Sequence, residues 1–335
     1  AKNLFQVHGV DERGKTALKK QLKRDQMMAF FTNLPACLIG MEACGSAHYW
    51  ANKLQRLGHT VKLMAPQFVK PYVKTNKNDV ADAEAICEAV SRPNMRFVPI
   101  KNSEQQAVLA LHRARQGFVK ARTAQANQIR GLLAEHGIII PKGIAYIGKH
   151  LPEILEDGEN GLPGSFRILI KRLGDHLKEL DRHTQELEVQ IQNWHRDSTA
   201  SRKLAKIPGI GPITASALVA SVGDAKNFEN GRQLAAWLGL VPRQNSSGGK
   251  QTLLGISKRG DSYLRTLLIH GARAVLRVAE RQAHQAHQAN SWLAGVMERR
   301  NYNVAAVALA NKNARIVWAL LANDREFEAD YGAEV

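Results

Sequence analysis

The sequence predicts an α/β domain followed by two mainly helical regions. Short apolar segments alternate with helical segments over residues 1–100, which favours a layered α/β fold. Apolar residues of segment 166–194 recur at alternating spacings of three and four, which is typical of a coiled coil. Helical patterns continue around a glycine-rich turn at 244–250. We therefore predict an α/β domain at 1–101, a helical coiled-coil linker at 102–200 and a mainly helical domain at 201–335.

Local patterns place the individual elements. Strands are predicted at 4–10, 37–41, 61–64 and 95–100, and helices at 47–57, 79–90, 103–136, 166–194 and 305–321. Residues 137–164, rich in proline and glycine, are predicted to connect two antiparallel helical arms. The apolar seam of these arms can lie within one chain or join two subunits, and the sequence leaves both open. From Asp324 onward we expect an acidic tail that frays.

Charge indicates the class of partner. The 335 residues include 47 Lys and Arg against 30 Asp and Glu, a formal net charge of +17. Such a surplus attracts polyanions at long range, and nucleic acid is the commonest of these. A merely soluble basic protein is the alternative. The hydrophobic fraction of 44% excludes wholesale disorder.

Cysteine usage and hydropathy indicate the compartment. Cys37, Cys44 and Cys87 form no CxxC pair, which favours reduced thiols in the cytoplasm over structural zinc. His284 and His287 are three residues apart without a third ligand, and we interpret them as surface residues. No apolar run reaches the roughly 18 residues of a membrane span, so no membrane partner is expected.

Three carboxylates are candidates for a metal site. Glu42 follows the strand predicted at 37–41, at the sheet edge where α/β proteins bind ligands. Asp79 and Asp82 are three residues apart at a helix start and share one face. One interpretation is that Asp79 only caps the helix beside a solvated neighbour. The functional interpretation is that all three bind Mg²⁺, which prefers carboxylates and water, for phosphoryl transfer.

The segment 204–215 has the form of a helix-hairpin-helix. Pro208, Gly209 and Gly211 permit a tight turn whose backbone N–H groups face outward beside a helix N-terminus. Such a turn binds a phosphate without reading bases. An ordinary loop between helices is the alternative.

Ser246 and Ser247 precede two glycines in the glycine-rich turn. Turn serines are usually only turn residues. However, a serine that attacks phosphorus needs nearby cations to stabilise the charge of the transition state. The candidate cations, which are also candidate nucleic-acid ligands, are Arg243, Lys250, Lys258, Arg259 and Arg265.

Three blocks of sequence carry a family resemblance. Residues 40–45, residues 76–85 and the run 239–265 resemble the DEDD-type transposases of bacterial insertion sequences, in the one-ten family and its eleven-eleven subgroup. The order of acidic block, helical middle, hairpin and serine turn is also the family's. The resemblance covers nearly the whole chain.

This resemblance implies a fold and a mechanism. It implies an RNase H-like (RuvC-like) first domain, a coiled-coil linker and a transposase domain with a nucleophilic serine, Ser246 in preference to Ser247. It matches Glu42, Asp79 and Asp82 to three of the family's four acids. The fourth, an Asp on a first strand, is expected just before Ala1, and Asp11 lies at the wrong end of its strand to replace it. The resemblance also implies a noncoding guide RNA, called bridge or seeker RNA.

The residues and the resemblance together predict a DNA recombinase that excises and inserts a mobile element, and the resemblance alone implies that an RNA guides it. Its partners would be donor and target DNA, the guide RNA and further copies of itself, as a dimer or tetramer. It would act in the bacterial cytoplasm, in association with the nucleoid. Two alternatives stay open: a junction nuclease that uses only metal, and a nucleic-acid binding protein without catalysis.

Overall fold

The chain divides into two compact units between Ser103 and Glu104. A computed structural model describes residues 3–74, 76, 78–283 and 291–328. Over these residues the first unit mixes strands with helices, and the second is helical apart from one β-hairpin. The predicted class, an α/β domain followed by a mainly helical remainder, is therefore confirmed. His284 and His287 lie outside the described residues.

The first unit alternates strands and helices. In chain order its elements are β1 (Leu4–Val10), β2 (Thr16–Lys23), α1 (Gln26–Thr32), β3 (Leu38–Glu42), α2 (Ala47–Arg56), β4 (Thr60–Met64), α3 (Pro66–Val69), α4 (Asp79–Val90) and β5 (Phe97–Val98). β1 pairs antiparallel with β2, while β4 pairs parallel with β3 and antiparallel with β5.

Helices cover both faces of the second sheet. Leu63 and Met64 are neighbours on β4, so their side chains point to opposite faces. Leu63 packs in a core with Trp50 of α2, whereas Met64 packs in another with Ala85 of α4. A Cβ on Gly40 of β3 would lie 2.7 Å from the Val90 Cβ, so glycine allows α4 to approach the strand closely.

Several predicted boundaries were wrong in the first unit. Glu42 is the last residue of β3 rather than the residue after it, and the strand predicted at 95–100 is only the two residues of β5. The sequence analysis missed β2, because its exposed lysines mask the inward positions Leu18 and Leu22. It also missed α1, which has only seven residues.

The second unit begins with long helices. Its elements are α5 (Ser103–Ala134), α6 (Ile144–Glu156), α7 (Gly164–Asp197), α8 (Thr199–Leu204), α9 (Pro212–Val222), α10 (Gly231–Trp237), β6 (Pro242–Gln244), β7 (Leu253–Ile256), α11 (Ser262–Ala283), α12 (Ser291–Arg299) and α13 (Tyr302–Asn323).

α5 and α7 run antiparallel within one chain. As residue numbers increase along α5, those of its hydrogen-bond partners on α7 decrease. The pairs are Glu104 with Trp194, Arg115 with Glu188, Arg122 with Asp181 and Gln125 with His176. The predicted apolar stripe of α7 is buried at Ile170, Leu177, Leu180, Thr184 and Ile191. Its seam therefore has partners inside the chain. The coiled-coil geometry itself stays a prediction.

The stretch predicted as a connection contains a helix, α6, which was missed because Pro152 lies inside it. α6 packs on α7, where a Cβ on Gly174 would lie 2.4 Å from Leu151. Arg167 closes the end of α6. Its guanidinium donates to the carbonyls of Ile154, Leu155, Asp157 and Leu162 and to the Asn160 side chain. These groups include carbonyls that a helix end leaves without intrahelical partners.

α13 forms the centre of the C-terminal core. Ala306, Ala310 and Ala314 of this helix are fully buried. Within the described ranges, α13 is the one helix long and apolar enough to cross a membrane, and about 44% of its apolar window is buried inside the protein. Lys312 and Arg315 interrupt its apolar residues, and a core helix of this kind passes the same test.

The start of the acidic tail is bound rather than frayed. Asp324 accepts a hydrogen bond of 2.6 Å from Lys203, and Glu326 accepts one of 2.7 Å from Lys206. Phe327 packs against the C-terminal core. The prediction of a fraying tail is therefore wrong at these positions.

We predict that Arg167→Met loosens the tip of the helical arm. The substitution leaves several carbonyls at the end of α6 without a charged donor, each of which costs about 1–3 kcal/mol. Hydrogen exchange at residues 144–170 should rise, while exchange in α13 stays unchanged. Arg172→Met is the matched control, because Arg172 is exposed on the same helix and has no bonding partner among the described residues. Equal exchange in the two variants would contradict the assignment.

Candidate active site and nucleic-acid interface

The two serines lie on a β-hairpin, here called the serine hairpin, formed by β6, β7 and residues 245–252. Ser247 and Lys250 form a β-bridge around Gly248 and Gly249, whose φ angles are 55° and 79°. Positive φ at both central positions is the requirement of a tight type I′ turn, which glycine meets without strain. The sequence analysis predicted the glycine turn but not the strands that flank it.

Ser246 and Ser247 differ in their contacts. The Ser246 Oγ accepts a hydrogen bond of 3.3 Å from the Thr252 N–H across the hairpin. The Ser247 hydroxyl makes no side-chain hydrogen bond with any described residue. Both residues are exposed. Ser246 is therefore the serine whose oxygen is held in place while its own O–H stays available.

Close backbone contacts fix the base of the serine hairpin. A Cβ on Gly239 would lie 2.1 Å from the Arg259 carbonyl oxygen, and one on Gly260 would lie 1.9 Å from the Trp237 carbonyl oxygen. Both glycines have positive φ. Arg265 donates to the Leu238 carbonyl at 3.0 Å and to that of Arg259 at 3.4 Å. Arg265, a predicted nucleic-acid ligand, thus contacts protein carbonyls at this base.

The remaining candidate cations around the serine hairpin are free. Arg243, Lys250, Lys258 and Arg259 are exposed, and their side chains have no hydrogen-bond or ion-pair partner among the described residues. Their heads can therefore approach a phosphate without first breaking a contact in the protein.

A second basic surface continues along α11. His270, Arg273, Arg277 and Arg281 are spaced by three and four residues and so share one face of the helix. Arg273 donates to Asn303, whereas Arg277 and Arg281 are exposed. The spacing of these charges is readable in the sequence.

The turn between α8 and α9 is held from behind by two groups. Gly209, with φ of 86°, lies against α11, where a Cβ on Gly271 would come within 1.8 Å of the Gly209 carbonyl oxygen. Asn313, which is buried on α13, donates to the Pro208 carbonyl at 2.9 Å. The N–H groups of Gly209 and Gly211 have no acceptor among the described residues. Pro208 and Gly211 are exposed, so this turn presents unpaired donors beside the start of α9.

Sequence reasoning missed Gly271 and Asn313. Each acts on the turn across a long sequence separation, and no local pattern marks either as a partner of Pro208 or Gly209. A glycine and a buried asparagine in otherwise apolar helices were the available signals.

The three candidate acids are not brought together. Glu42 ends β3, while Asp79 and Asp82 lie in the first turn of α4. The cap of α4 is Asn78, whose side chain accepts from the Ala81 N–H at 2.8 Å, so the interpretation of Asp79 as the cap is wrong. Carboxylates suit a hard divalent cation. Within the part of the chain that is described, however, no three His, Cys, Asp or Glu side chains form a group able to hold a metal.

Comparison with known proteins decides the family. The family model described as Transposase IS116/IS110/IS902 family matches residues 201–288, which contain the turn and the serine hairpin. The DEDD transposase model of IS110 matches residues 1–138, which contain the three acids. This chain belongs to the IS110/IS116/IS902 family of transposases. It is therefore an enzyme that acts on DNA, in a family that generally uses divalent metal.

Relatives of this transposase align over almost its whole length. A probable family 20 transposase of Pseudomonas aeruginosa is 55% identical, covering 97% of this chain and 95% of the relative. The transposase for insertion sequence element IS1328 of Yersinia enterocolitica is 46% identical, covering 95% and 94%. The transposase for IS1111A of Coxiella burnetii is 44% identical, covering 98% and 89%.

We predict that Gly209→Ala destabilises the turn of this transposase and lowers its affinity for DNA. The added Cβ would lie 2.8 Å from the Gly271 carbonyl oxygen at a positive φ. Strain and overpacking together should cost about 2–5 kcal/mol. Thermal unfolding and binding to a nonspecific duplex measure the two effects.

Gly211→Ala is the matched control for this substitution. A Cβ on Gly211 meets nothing within 4 Å, and its φ is −87°. Its effect should be about 1 kcal/mol or less. Equal losses in the two variants would show that the contact with Gly271 does not set the shape of the turn.

Proposed function

We propose that this transposase cuts and rejoins DNA through a phosphoserine intermediate formed at Ser246. The observation that carries the proposal is the Ser246 Oγ held by the Thr252 N–H on an exposed hairpin with free cations. Ser247, at the turn of the same hairpin, is the second candidate. Cations around a serine stabilise the charge that develops when its oxygen attacks phosphorus.

The proposed step conserves the energy of the phosphodiester. The serine hydroxyl loses its proton and forms an Oγ–P bond, while one P–O ester bond to the DNA strand breaks. The deoxyribose oxygen that leaves gains a proton. Attack by a deoxyribose hydroxyl of another strand on the phosphoserine reverses these changes and releases the serine. Strands are thereby exchanged without an external energy source.

Two surfaces of the second unit are proposed to hold the DNA backbone. The unpaired N–H groups of Gly209 and Gly211 suit a phosphate oxygen at the start of α9. The basic face of α11 supplies Arg277 and Arg281 beyond it. Contacts of this kind position a duplex without reading its sequence. Excision and insertion at chosen sites therefore need a separate source of specificity.

That source is proposed to be a noncoding guide RNA that pairs with donor and target DNA. Support comes from the resemblance of the sequence blocks and from the net charge of +17, which suits two nucleic acids. Recognition by base pairing leaves the protein to hold backbones, as in other guided systems.

The first unit is proposed to have the RuvC-like fold and to bind Mg²⁺ through Glu42, Asp79 and Asp82. Helices on both faces of its second sheet support the fold. When bound, the cation would stabilise charge on the phosphate oxygens. Among the described residues these three acids do not by themselves form a complete metal site.

Two exchanging duplexes require several active sites, so we propose a dimer or tetramer. The helical arm of α5, α6 and α7 is a candidate for assembly because Ile139 and Ile168 near its tip are exposed by 77% and 65%. Because its substrate would be chromosomal DNA, we propose that the enzyme acts in the bacterial cytoplasm, in association with the nucleoid.

A covalent-adduct assay tests the serine mechanism. Protein, RNA derived from the element, Mg²⁺ and a nicked suicide duplex are incubated, denatured and separated by size. Wild type should give a protein–DNA band that Ser246→Ala abolishes, because the nucleophile is lost. Ser247→Ala should retain the band and serves as the matched control.

Other outcomes select the rival functions. Loss of the band only in Ser247→Ala would transfer the nucleophile to that residue. Cutting without a band in wild type and both variants would identify a nuclease that uses only metal. DNA binding without cutting, in wild type and in both variants, would identify a nucleic-acid binding protein without catalysis.

Glu42→Gln, Asp79→Asn and Asp82→Asn should each slow cleavage about a hundredfold or more. A cation that they help to bind would contribute several kcal/mol to the transition state. Single-turnover rates at increasing Mg²⁺ measure the effect, and DNA affinity should change little. Glu84→Gln is the control on the exposed surface of α4. Full activity in all three variants would contradict the assignment of the acids.

A further inference from the structure

A buried chain of polar groups crosses the second unit. His112 of α5 is 1% exposed, and its two ring nitrogens contact the Tyr263 hydroxyl at 3.0 Å and the Ser216 hydroxyl at 3.1 Å. Arg115, one turn further along α5, lies near Tyr263 and pairs with Glu188 of α7. This series of polar contacts therefore links four helices: α5, α7, α9 and α11.

The direction of each hydrogen bond can be assigned. Ser216 donates its hydroxyl proton to the Pro212 carbonyl at 2.7 Å, so its oxygen accepts from the His112 Nε2–H. Burial lowers the pKa of His112 to about 4, which keeps the ring neutral and leaves Nδ1 as an acceptor. Tyr263 consequently donates to Nδ1. Donation runs in one direction, from Tyr263 through His112 and Ser216 to Pro212.

The two ends of this series of hydrogen bonds lie beside the turn between α8 and α9 and beside the base of the serine hairpin. Pro212 is the first residue of α9 and directly follows Gly211 of the turn. Tyr263 is in the first turn of α11, between Asp261 and Arg265, and the latter holds the base of the serine hairpin. The neutral imidazole of His112 has one donor and one acceptor, so it can accept from the Tyr263 hydroxyl and donate to the Ser216 hydroxyl at the same time.

We propose that His112 is a positioning residue that holds the base of the serine hairpin in place through its hydrogen bond with Tyr263. The proposal rests on the proposed function for its effect on catalysis. Its effect on the serine hairpin itself does not depend on the chemistry of the serine. His112 contacts neither the serines nor the turn glycines and acts on the hairpin through Tyr263, while Ser216 accepts from its other ring nitrogen.

Two isosteric variants separate the two contacts. In His112→Asn the side-chain oxygen takes the place of Nδ1 and can still accept from Tyr263. In His112→Gln the side-chain nitrogen takes the place of Nε2 and can still donate to Ser216. Tyr263→Phe removes the same contact as His112→Gln from the other side. Trp318→Phe is the matched control, because it deletes a hydrogen bond to Phe228 in the same core, away from this chain.

Hydrogen exchange is measured at the amides of Ser257 and Lys258. These amides bond to Val241 and Gly239 and close the base of the serine hairpin. His112→Gln and Tyr263→Phe should raise their exchange about five- to tenfold relative to the rest of the unit, as expected for one lost hydrogen bond. His112→Asn should stay within about twofold of wild type, as should Trp318→Phe.

The adduct assay gives the catalytic readout. At saturating DNA, His112→Gln and Tyr263→Phe should slow adduct formation about five- to tenfold with DNA affinity nearly unchanged, and His112→Asn should restore the rate. Equal exchange and equal rates in His112→Asn and His112→Gln would overturn the proposal and leave His112 as a packing residue. If wild type forms no adduct but the exchange pattern holds, the serine mechanism fails and the positioning of the hairpin stands.

Discussion

The contact between the backbones of Gly209 and Gly271 is the constraint on which the second unit depends. A carbonyl oxygen of the turn lies where any other side chain on α11 would need space. Because neither residue carries a Cβ, the turn can rest directly on the helix. The rear of the turn is thereby fixed, and the N–H groups of Gly209 and Gly211 have no acceptor among the described residues. Asn313 completes this support from α13.

α11 connects this contact to the serine hairpin. Gly271 meets the turn, Arg265 holds the carbonyls at the hairpin base, and Tyr263 joins the buried polar chain to the helical arm. Tyr263, Arg265 and Gly271 all lie on this one α-helix, whose regular geometry sets the spacing between them. α11 is thus the element that contacts the turn, the hairpin base and the helical arm.

The sequence was sufficient for features that local pattern determines. The bounds of α4 follow from its apolar spacing and from the Asp pair at its start, and the glycine turn follows from Gly248 and Gly249. Features set by distant partners could not be predicted. Arg265 reads as a free cation because charge is visible in a sequence, while its acceptors at Leu238 and Arg259 are not. His112 looks like any other helix residue in the sequence, because its partners Tyr263 and Ser216 are more than 100 residues away. The lysines of β2 hid an edge strand, where charged side chains are in fact common.

The cap of α4 separates two tasks between adjacent residues. Asn78 meets the need of the helix for an acceptor at its first turn, and Asp79 follows with its carboxylate unused in that role. Because the amide of Asn78 is the cap, a change at Asp79 costs the helix only the smaller interaction of the carboxylate with the helix dipole. Selection for chemistry and selection for stability can therefore act independently on two neighbouring positions.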